Sequence, residues 1–225
     1  MLIPKLKEIL TFAEIIPEEN LDIVSHSVSA SATADQIESL SAFGIDIKTN
    51  IKSILFHEAV QGICRDIVKA LFERAESLLD YEVEKKIDKY HVHKDLFDTV
   101  LNKLEDNEDY NFVISNGQLS TVFNERIIPI KSQTISHTGL LFQIGSYENI
   151  DFYTDPYMKW DDMRMLLGRE KIKIYVDPNF TIKETVGNEL QPNNRTVIEF
   201  KYKFEFDDSK YYRINVIDKH HLLII

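Results

Sequence analysis

The chain has 225 residues, 44% of them hydrophobic, a size that fits one large domain or two small lobes around a sizeable core. Its net charge of −11 argues against a dedicated nucleic-acid binder, because phosphate contacts need clustered Lys and Arg side chains. The single cysteine, Cys64, excludes a disulfide within the chain and predicts a buried thiol in a reducing compartment. Neither a signal-peptide pattern nor an apolar run long enough to span a bilayer is present, which favours synthesis in the cytosol.

The N-terminal third predicts an arm followed by a strand of small residues. Residues 1–21 form the arm, and within them residues 2–16 predict a short amphipathic element that Pro17 and two glutamates close. Between Val24 and Thr33 the side chains alternate with a period of two, and serines occupy most of one face. The other face carries valine, histidine and alanine, so we expect one face of this strand to be covered.

A short helix and then a very long one follow this strand. Residues 34–40 predict the short helix, which Gly44 can end in a left-handed conformation, and Asp46 can cap the next helix. From residue 46 to residue 79, apolar side chains recur at three- and four-residue spacing, with charged side chains between them. At ~1.5 Å per residue this helix would span roughly 50 Å, the width of a domain. We expect Ile63 and Ile67 to be buried.

The second half of the chain predicts strands and one further helix. Residues 111–123 predict a strand that runs into a helix, whereas Asp155-Pro156 and Asp177-Pro178 are typical of turns at strand ends.

The order of these elements resembles that of tailed-bacteriophage major capsid proteins of the T-even type. In that family a Ser/Ala/Thr-rich strand leads through a short acidic helix and an "hGhD" turn, where h is hydrophobic, into a spine helix with an "hxxEhxxxIxRxhh" core. Residues 43–46 and 55–68 match these two motifs. Residues 145–157, 163–168 and 171–178 are similar to later strands of the family, and residues 196–206 and 211–218 resemble its closing hairpin. All these blocks keep the family's order from about residue 20 to residue 218.

The resemblance implies a phage-capsid-like α+β fold, shared with encapsulins, in which a long spine helix packs on an antiparallel sheet beside an axial α/β lobe. Residues 22–110 and 195–218 would form the peripheral lobe, with the spine helix at 46–79. Residues 111–194 would form the axial lobe, and residues 219–225 a C-terminal tail. Proteins of this type usually have an N-terminal arm and a large extended loop ahead of the Ser/Ala/Thr-rich strand, where this chain has only residues 1–21. The arm and extended loop are therefore shortened, the chain is a minor shell component, or another chain supplies the missing part.

The function that the resemblance implies is structural. The chain would form rings of five or six copies, contact other virion shell proteins, and enclose DNA without binding it specifically, with no membrane and no catalytic step. Two alternatives remain open: the shell of an encapsulin-type compartment, and an intracellular module that docks a phage or host protein.

Candidate chemical sites are weak. His91 and His93, near Asp88 and Asp95, have metal-ligand chemistry, but their charged surroundings favour a solvated loop. The pair His220-His221 precedes an apolar C-terminal tail and is interpreted as an ordinary terminal pair without a metal-binding role. No nucleophile and base stand at motif spacing, and the chain has only 7 glycines and no glycine-rich phosphate loop. We therefore predict no catalytic, cofactor or metal site, while a hydrolase that uses the histidine pair remains the third interpretation.

One bend in the second half is a candidate subunit contact. Aromatic residues and methionine are favoured in the cores of protein interfaces, and this bend is rich in both. A tryptophan there could equally complete the core of its own lobe. The candidate interface residues are Tyr153, Tyr157, Met158, Trp160 and Met163.

Overall fold

The computed structural model describes residues 2–23, 25–82, 96, 98–100, 102, 110–117, 119–120, 127–129, 141–159, 164–186 and 193–217. The chain divides into two compact units. Unit 1 consists of residues 1–63 and 173–205, and unit 2 consists of residues 64–172 and 206–225. Each unit therefore contains two separate stretches of the chain.

Unit 1 contains two three-stranded sheets. Helix α1 (Leu2–Ile9) buries Leu2, Leu6 and Ile9 along one side, as expected of an amphipathic element. The element is shorter than the predicted range of residues 2–16, because residues 13–17 form a strand. The first sheet has the order β1-β9-β12 and the second the order β10-β11-β2. The strands of these sheets are β1 (Ala13–Pro17), β2 (His26–Thr33), β9 (Ile172–Val176), β10 (Thr181–Thr185), β11 (Asn193–Phe200) and β12 (Tyr202–Glu205).

Strand β2 and the helix after it follow the sequence pattern closely. The serines of β2 are exposed, whereas Val28, Ala30 and Ala32 are half-buried or buried. Helix α2 (Ala34–Ala42) begins with a capping box, in which Thr33 Oγ1 accepts from the Gln36 amide and Gln36 Oε1 accepts from the Thr33 amide. Gly44, with φ of 73°, follows the end of α2 as predicted.

The long helix α3 (Ile47–Arg74) has the predicted start and an earlier end. Asp46 caps it, because Asp46 Oδ1 accepts from the Thr49 amide at 3.3 Å. Ile63 and Ile67 are both 0% exposed, whereas Ile54 is 56% exposed although it falls in the predicted apolar stripe. The predicted helical continuation to residue 79 is wrong, since residues 76–82 form a strand that pairs in parallel with the strand at residues 211–217.

Unit 2 is built on a seven-stranded mixed sheet of order β3-β13-β8-β4-β7-β6-β5. Its central strands β4, β7 and β8 are almost fully buried, and β4 runs parallel to β7 and antiparallel to β8. The strands are β3 (Glu76–Glu82), β4 (Phe112–Ser115), β5 (Ile128–Pro129), β6 (Phe142–Tyr147), β7 (Ile150–Thr154), β8 (Arg164–Gly168) and β13 (Tyr211–Ile217).

Three predictions about chain pairing differ from the structure. The predicted strand at residues 145–157 is two strands, β6 and β7, joined by a tight turn in which Glu148 has φ of 52°. The predicted closing hairpin is absent, because β11, β12 and β13 pair within three different sheets. The predicted peripheral lobe requires the strands within residues 195–218 to join the sheet of the strand ahead of the long helix. This prediction holds for β11, which pairs with β2 along eight residues. It fails for β13, which lies between β3 and β8.

The unit boundaries also differ from the predicted lobes. The division falls at residue 63, inside α3, and at residue 173, whereas the prediction placed the boundaries at residues 111 and 195. The physical reason is strand pairing. Since β3 and β13 belong to the same sheet as β4, residues 76–82 and 211–217 are built into unit 2. Strands β9 and β10 belong to the sheets of unit 1, so residues 173–185 join that unit instead.

Candidate self-association surface

The loop from Asp155 to Lys159, called the 155–159 loop below, contains two of the candidate interface residues. It begins where β7 ends, beside the end of the parallel strand β4, and the Asp155 amide donates to the Ser115 carbonyl at 2.9 Å. Asp155 Oδ1 accepts from the Tyr157 amide at 2.9 Å. This bond confirms the turn predicted for Asp155-Pro156, and Asp177 Oδ1 makes the same bond to the Asn179 amide at 2.8 Å.

Asn116 fixes the far end of the 155–159 loop. Its side chain is 0% exposed, donates from Nδ2 to the Lys159 carbonyl at 3.2 Å, and accepts at Oδ1 from the Leu119 amide at 2.8 Å. A buried amide with good partners orders the chain around it, whereas a buried amide without partners destabilises the fold. The loop is thus held at its first residue by β4 and at its last residue by Asn116.

A buried network of hydroxyl groups lies at the ends of β4 and β7. Ser120 Oγ donates to the Asn116 carbonyl at 2.8 Å, lies 3.1 Å from Ser115 Oγ, and also contacts Thr154 Oγ1. A hydroxyl becomes a useful nucleophile beside a general base, whereas these hydrogen bonds join hydroxyls to one another and to a main-chain oxygen. The network therefore has the character of a structural support.

Tyr157 is the exposed aromatic side chain of this loop. It is 41% exposed, and the Arg65 guanidinium carbon lies 4.0 Å from the centre of its ring. Stacking of this kind holds the ring in place and adds cationic character to an apolar surface. Met158 beside it is half-buried. Tyr157 and Met158 together supply an ordered, partly apolar surface.

Tyr153 lies in the interior of unit 2. Its side chain is 1% exposed, its ring packs edge-on against Phe112, and its hydroxyl donates to Asp151 Oδ2 at 3.4 Å. Burial raises the pKa of Asp151, and the hydrogen bond from Tyr153 opposes that shift. Tyr153 therefore belongs to the core of its own chain. Trp160 and Met163 lie outside the described residues.

The histidine pairs of the sequence analysis, His91 with His93 and His220 with His221, also lie outside the described residues. Within the part of the chain that the structure describes, no group of three or more His, Cys, Asp and Glu side chains could hold a metal ion. A search over the same residues finds no helix of the length and hydropathy needed to cross a membrane.

Cys64 is buried, as its position on α3 predicts. Its side chain is 4% exposed, and burial raises the pKa of its thiol to about 12, with a further contribution from the negative charge of Asp155. Because only the thiolate attacks disulfide reagents, this thiol is poorly reactive near neutral pH.

We expect a coloured disulfide reagent at pH 8 to leave native Cys64 unmodified and to react with one thiol per chain after denaturation. The raised pKa also stabilises the native state below the thiol's ordinary pKa of 9.0, and this contribution is lost as pH rises toward 12. The Cys64→Ala variant is the control and should give no signal in either state. Rapid modification of the native protein would show that the helix is open at this position.

The comparisons with known proteins give structural likeness at very low sequence identity. No protein-family model and no curated protein sequence matches the chain. A chain of the satellite phage P4 procapsid superimposes with a TM-score of 0.54 at 12% identity, covering 96% of this chain and 98% of that one. The encapsulin SrpI of Synechococcus elongatus gives a TM-score of 0.55 at 9% identity, with 90% and 84% of the two chains covered. A virus-like particle from Pyrococcus furiosus gives 0.52 at 9% identity, with 95% and 96% covered.

These neighbours are shell proteins of the HK97-like fold. The chain has the HK97-like fold. The HK97-like assignment confirms the predicted α+β, phage-capsid-like class. Phage shells and encapsulin shells both occur among these neighbours. The structural likeness therefore supports the HK97-like fold and does not extend to the T-even-type family.

Signals for part of the supporting structure are present in the sequence but were missed. Ser115 and Asn116 directly follow the apolar run 112–114, and Thr154 directly follows the buried aromatic residues 152–153 at the end of β7. Polar residues directly after buried strands often turn the chain and bond to main-chain groups. The stacking of Arg65 on Tyr157 joins residues far apart in the sequence, and no local pattern indicates it.

Proposed function

We propose that this chain is a structural subunit of a tailed-phage capsid, which assembles with copies of itself around the genome. The observation that carries the proposal is the HK97-like fold, which accounts for 96% of this chain and 98% of a chain in a phage procapsid. The ordered, partly apolar 155–159 loop is consistent with a role in assembly. A net charge of −11 agrees with a shell that encloses DNA without binding it specifically.

The finer form of the proposal rests on the sequence motifs. The Ser/Ala/Thr-rich strand, the "hGhD" turn at residues 43–46 and the helix core at residues 55–68 favour a T-even-type subunit. Such a subunit would form rings of five or six copies, contact other virion shell proteins, and reside in the virion after synthesis in the host cytoplasm. It would work by association and not by turnover.

An encapsulin-type compartment is the second candidate, favoured by the likeness to the encapsulin of Synechococcus elongatus. The two candidates differ in what the particle would contain. A phage shell would hold nucleic acid, whereas an encapsulin-type shell would hold a protein cargo docked by a peptide in a groove on its inner face. Nuclease-protected DNA or a stoichiometric cargo protein in purified particles would distinguish them.

Particle size tests the proposal directly. Light scattering after size-exclusion chromatography, followed by negative-stain electron microscopy, should show ring-shaped capsomers or closed shells. An interaction module would instead elute as a monomer or small oligomer. If the parent chain forms nothing larger than a dimer, even with its natural virion partners present, the shell proposal is wrong.

The 155–159 loop supplies a variant for the same assay. We expect Tyr157→Glu to prevent formation of large particles, because a carboxylate replaces an aromatic ring at an interface that must exclude water. The variant should still fold, since the new carboxylate would lie beside the guanidinium of Arg65. Its circular dichroism and thermal transition should match those of the parent.

Tyr157→Phe is the matched control for that experiment. It keeps the ring and its contact with Arg65 and should assemble like the parent. If Tyr157→Glu also assembles normally, the subunit contact lies elsewhere. Trp160→Glu extends the test to the candidate residue outside the described part of the chain.

A further inference from the structure

The turn that joins α2 to α3, residues 40–46 and called the 40–46 turn below, exposes three large apolar side chains. Leu40 and Ile45 are each 40% exposed, and Phe43 is 82% exposed, the highest value among large hydrophobic residues in the described part of the chain. The Ile45 amide donates to the Leu40 carbonyl at 3.0 Å, across Gly44 in its left-handed conformation. This is the long bond of a Schellman motif, which fixes the end of a helix. The exposed side chains therefore belong to an ordered surface.

Helix α2, which leads into this turn, has no buried side chain. Its nine residues are held by a capping box at one end and by the Schellman motif at the other. A helix of this length is marginal in water unless its apolar side chains pack against something else. We therefore expect a contact from outside the chain to cover α2 and the 40–46 turn.

The charges around the 40–46 turn are acidic. Between residues 34 and 47 the chain carries Asp35, Glu38 and Asp46 and no Lys or Arg. All three acidic residues are exposed. Because copies of a chain with net charge −11 repel one another, a contact between them must place acidic surface against one of the fewer cationic surfaces. The turn thus selects an apolar surface that carries positive charge.

The 155–159 loop has that chemistry. It exposes Tyr157 and Lys159, while its one acidic residue, Asp155, is only 6% exposed. The Arg65 guanidinium carbon lies 4.0 Å from the centre of the Tyr157 ring and adds a second positive charge. A guanidinium can bind a carboxylate at its edge while its flat face lies on an aromatic ring.

The exposed aromatic side chains of the two surfaces also match. Phe43 and Tyr157 are the two aromatic residues among the large hydrophobic residues that are exposed in the described part of the chain. One lies among carboxylates and the other beside a guanidinium and an ammonium. Aromatic rings pack favourably against each other, and opposite charges around them fix the orientation of the contact.

We propose that the 40–46 turn of one copy docks on the 155–159 loop of a second copy. Phe43 packs against Tyr157, and the acidic side chains around the turn lie against the Lys159 ammonium. The contact joins two different surfaces of the same chain, so it repeats from copy to copy and closes into a ring when the rotation closes. The proposal rests on the shell function and names one contact within it.

Reciprocal charge reversal tests this pairing. Glu38→Lys and Lys159→Glu each bring like charges together and should raise the protein concentration needed for assembly by about tenfold or more. Both variants should fold, because both residues are exposed and the bond from Asn116 to Lys159 uses only the main-chain carbonyl. The double variant should assemble at the concentration of the parent. An equimolar mixture of the single variants should assemble more readily than either one alone.

Phe43→Ala tests the apolar part of the contact. Since this side chain is 82% exposed, its loss should leave the thermal transition of the chain unchanged. Assembly should require a protein concentration about tenfold higher or more. Val186→Ala is the matched control, because Val186 is an apolar side chain that is 81% exposed outside the proposed contact. It should assemble like the parent.

The outcomes separate this contact from the shell function. Large particles that form equally well from the parent, Glu38→Lys, Lys159→Glu and Phe43→Ala would overturn the contact and leave the shell function intact. Failure of the double variant to recover what the single reversals lose would also overturn the pairing. A small oligomer that the single reversals weaken and the double variant restores would support the contact and overturn the shell. A strictly monomeric parent would overturn both.

Discussion

Replacing Ile67 with Ala should lower the free energy of unfolding by about 2–5 kcal/mol, through lost burial and the cavity left behind. Ile67 is 0% exposed on α3, and Ile63 one turn earlier is also 0% exposed. Ile63→Ala should therefore give a loss of similar size. Urea denaturation followed by circular dichroism measures both as shifts in the transition midpoint.

Lys69→Ala is the control on the same helix. Lys69 Nζ lies 3.9 Å from Glu73 Oε1, and the two side chains are 75% and 63% exposed, so this ion pair contributes little. Its removal should leave the midpoint nearly unchanged. If both isoleucine variants unfold at the midpoint of the parent, the helix is not packed as the structure shows.

The second large effect is expected at Gly168, which lies in β8 directly opposite Phe112 of β4. A Cβ atom at this position would lie 2.8 Å from Cε2 of the Phe112 ring and closer still to two other ring atoms. The ring cannot move away easily, because Phe112 is 1% exposed and also packs against Tyr153 and Tyr211. Gly168→Ala should destabilise the fold by about 1–3 kcal/mol or more through overpacking.

Gly62→Ala is the matched comparison for Gly168→Ala. Nothing lies within 4 Å of a Cβ built at Gly62, which is in the interior of α3. Alanine is the better helix former there, so this variant should gain about 0.5–1 kcal/mol. Thermal unfolding should thus shift in opposite directions for the two variants. The addition of Phe112→Leu to Gly168→Ala should recover part of the loss, and no recovery would show that the strain lies elsewhere.

Local sequence patterns predicted the local parts of this fold. The alternation of β2, the turn at Gly44 and the cap at Asp46 each depend on residues within a few positions of one another. The end of α3 was not predictable in this way, because residues 76–82 pair with β13 more than 130 positions later in the sequence. Tertiary pairing there overrode a helical apolar pattern. The closing hairpin failed for the same reason, since three nearby strands pair in separate sheets.

The candidate subunit contact stays a prediction from composition. The Asp-Pro turn was predicted from the sequence, and the aromatic and methionine residues favoured the bend from Tyr157 to Met163. Composition could not separate Tyr153, which is 1% exposed, from Tyr157, which is 41% exposed, because that difference depends on a turn one residue after β7. Gly168 is the last residue of the strand expected at residues 163–168, and nothing near it in the sequence indicates that an aromatic ring covers its Cα.

The pairing of β2 with β11 has a consequence for how the chain folds. Arg195 Nη2 donates to Ser29 Oγ across 166 positions, and Lys201 Nζ donates to the Leu21 carbonyl across 180. Contacts of such separation close slowly, because the entropy of a long loop is lost before the contact forms. During synthesis β2 therefore leaves the ribosome long before β11 exists, with both of its edges open. Fragments that end before residue 193 should consequently aggregate, and slower folding than in helical proteins of the same size is expected.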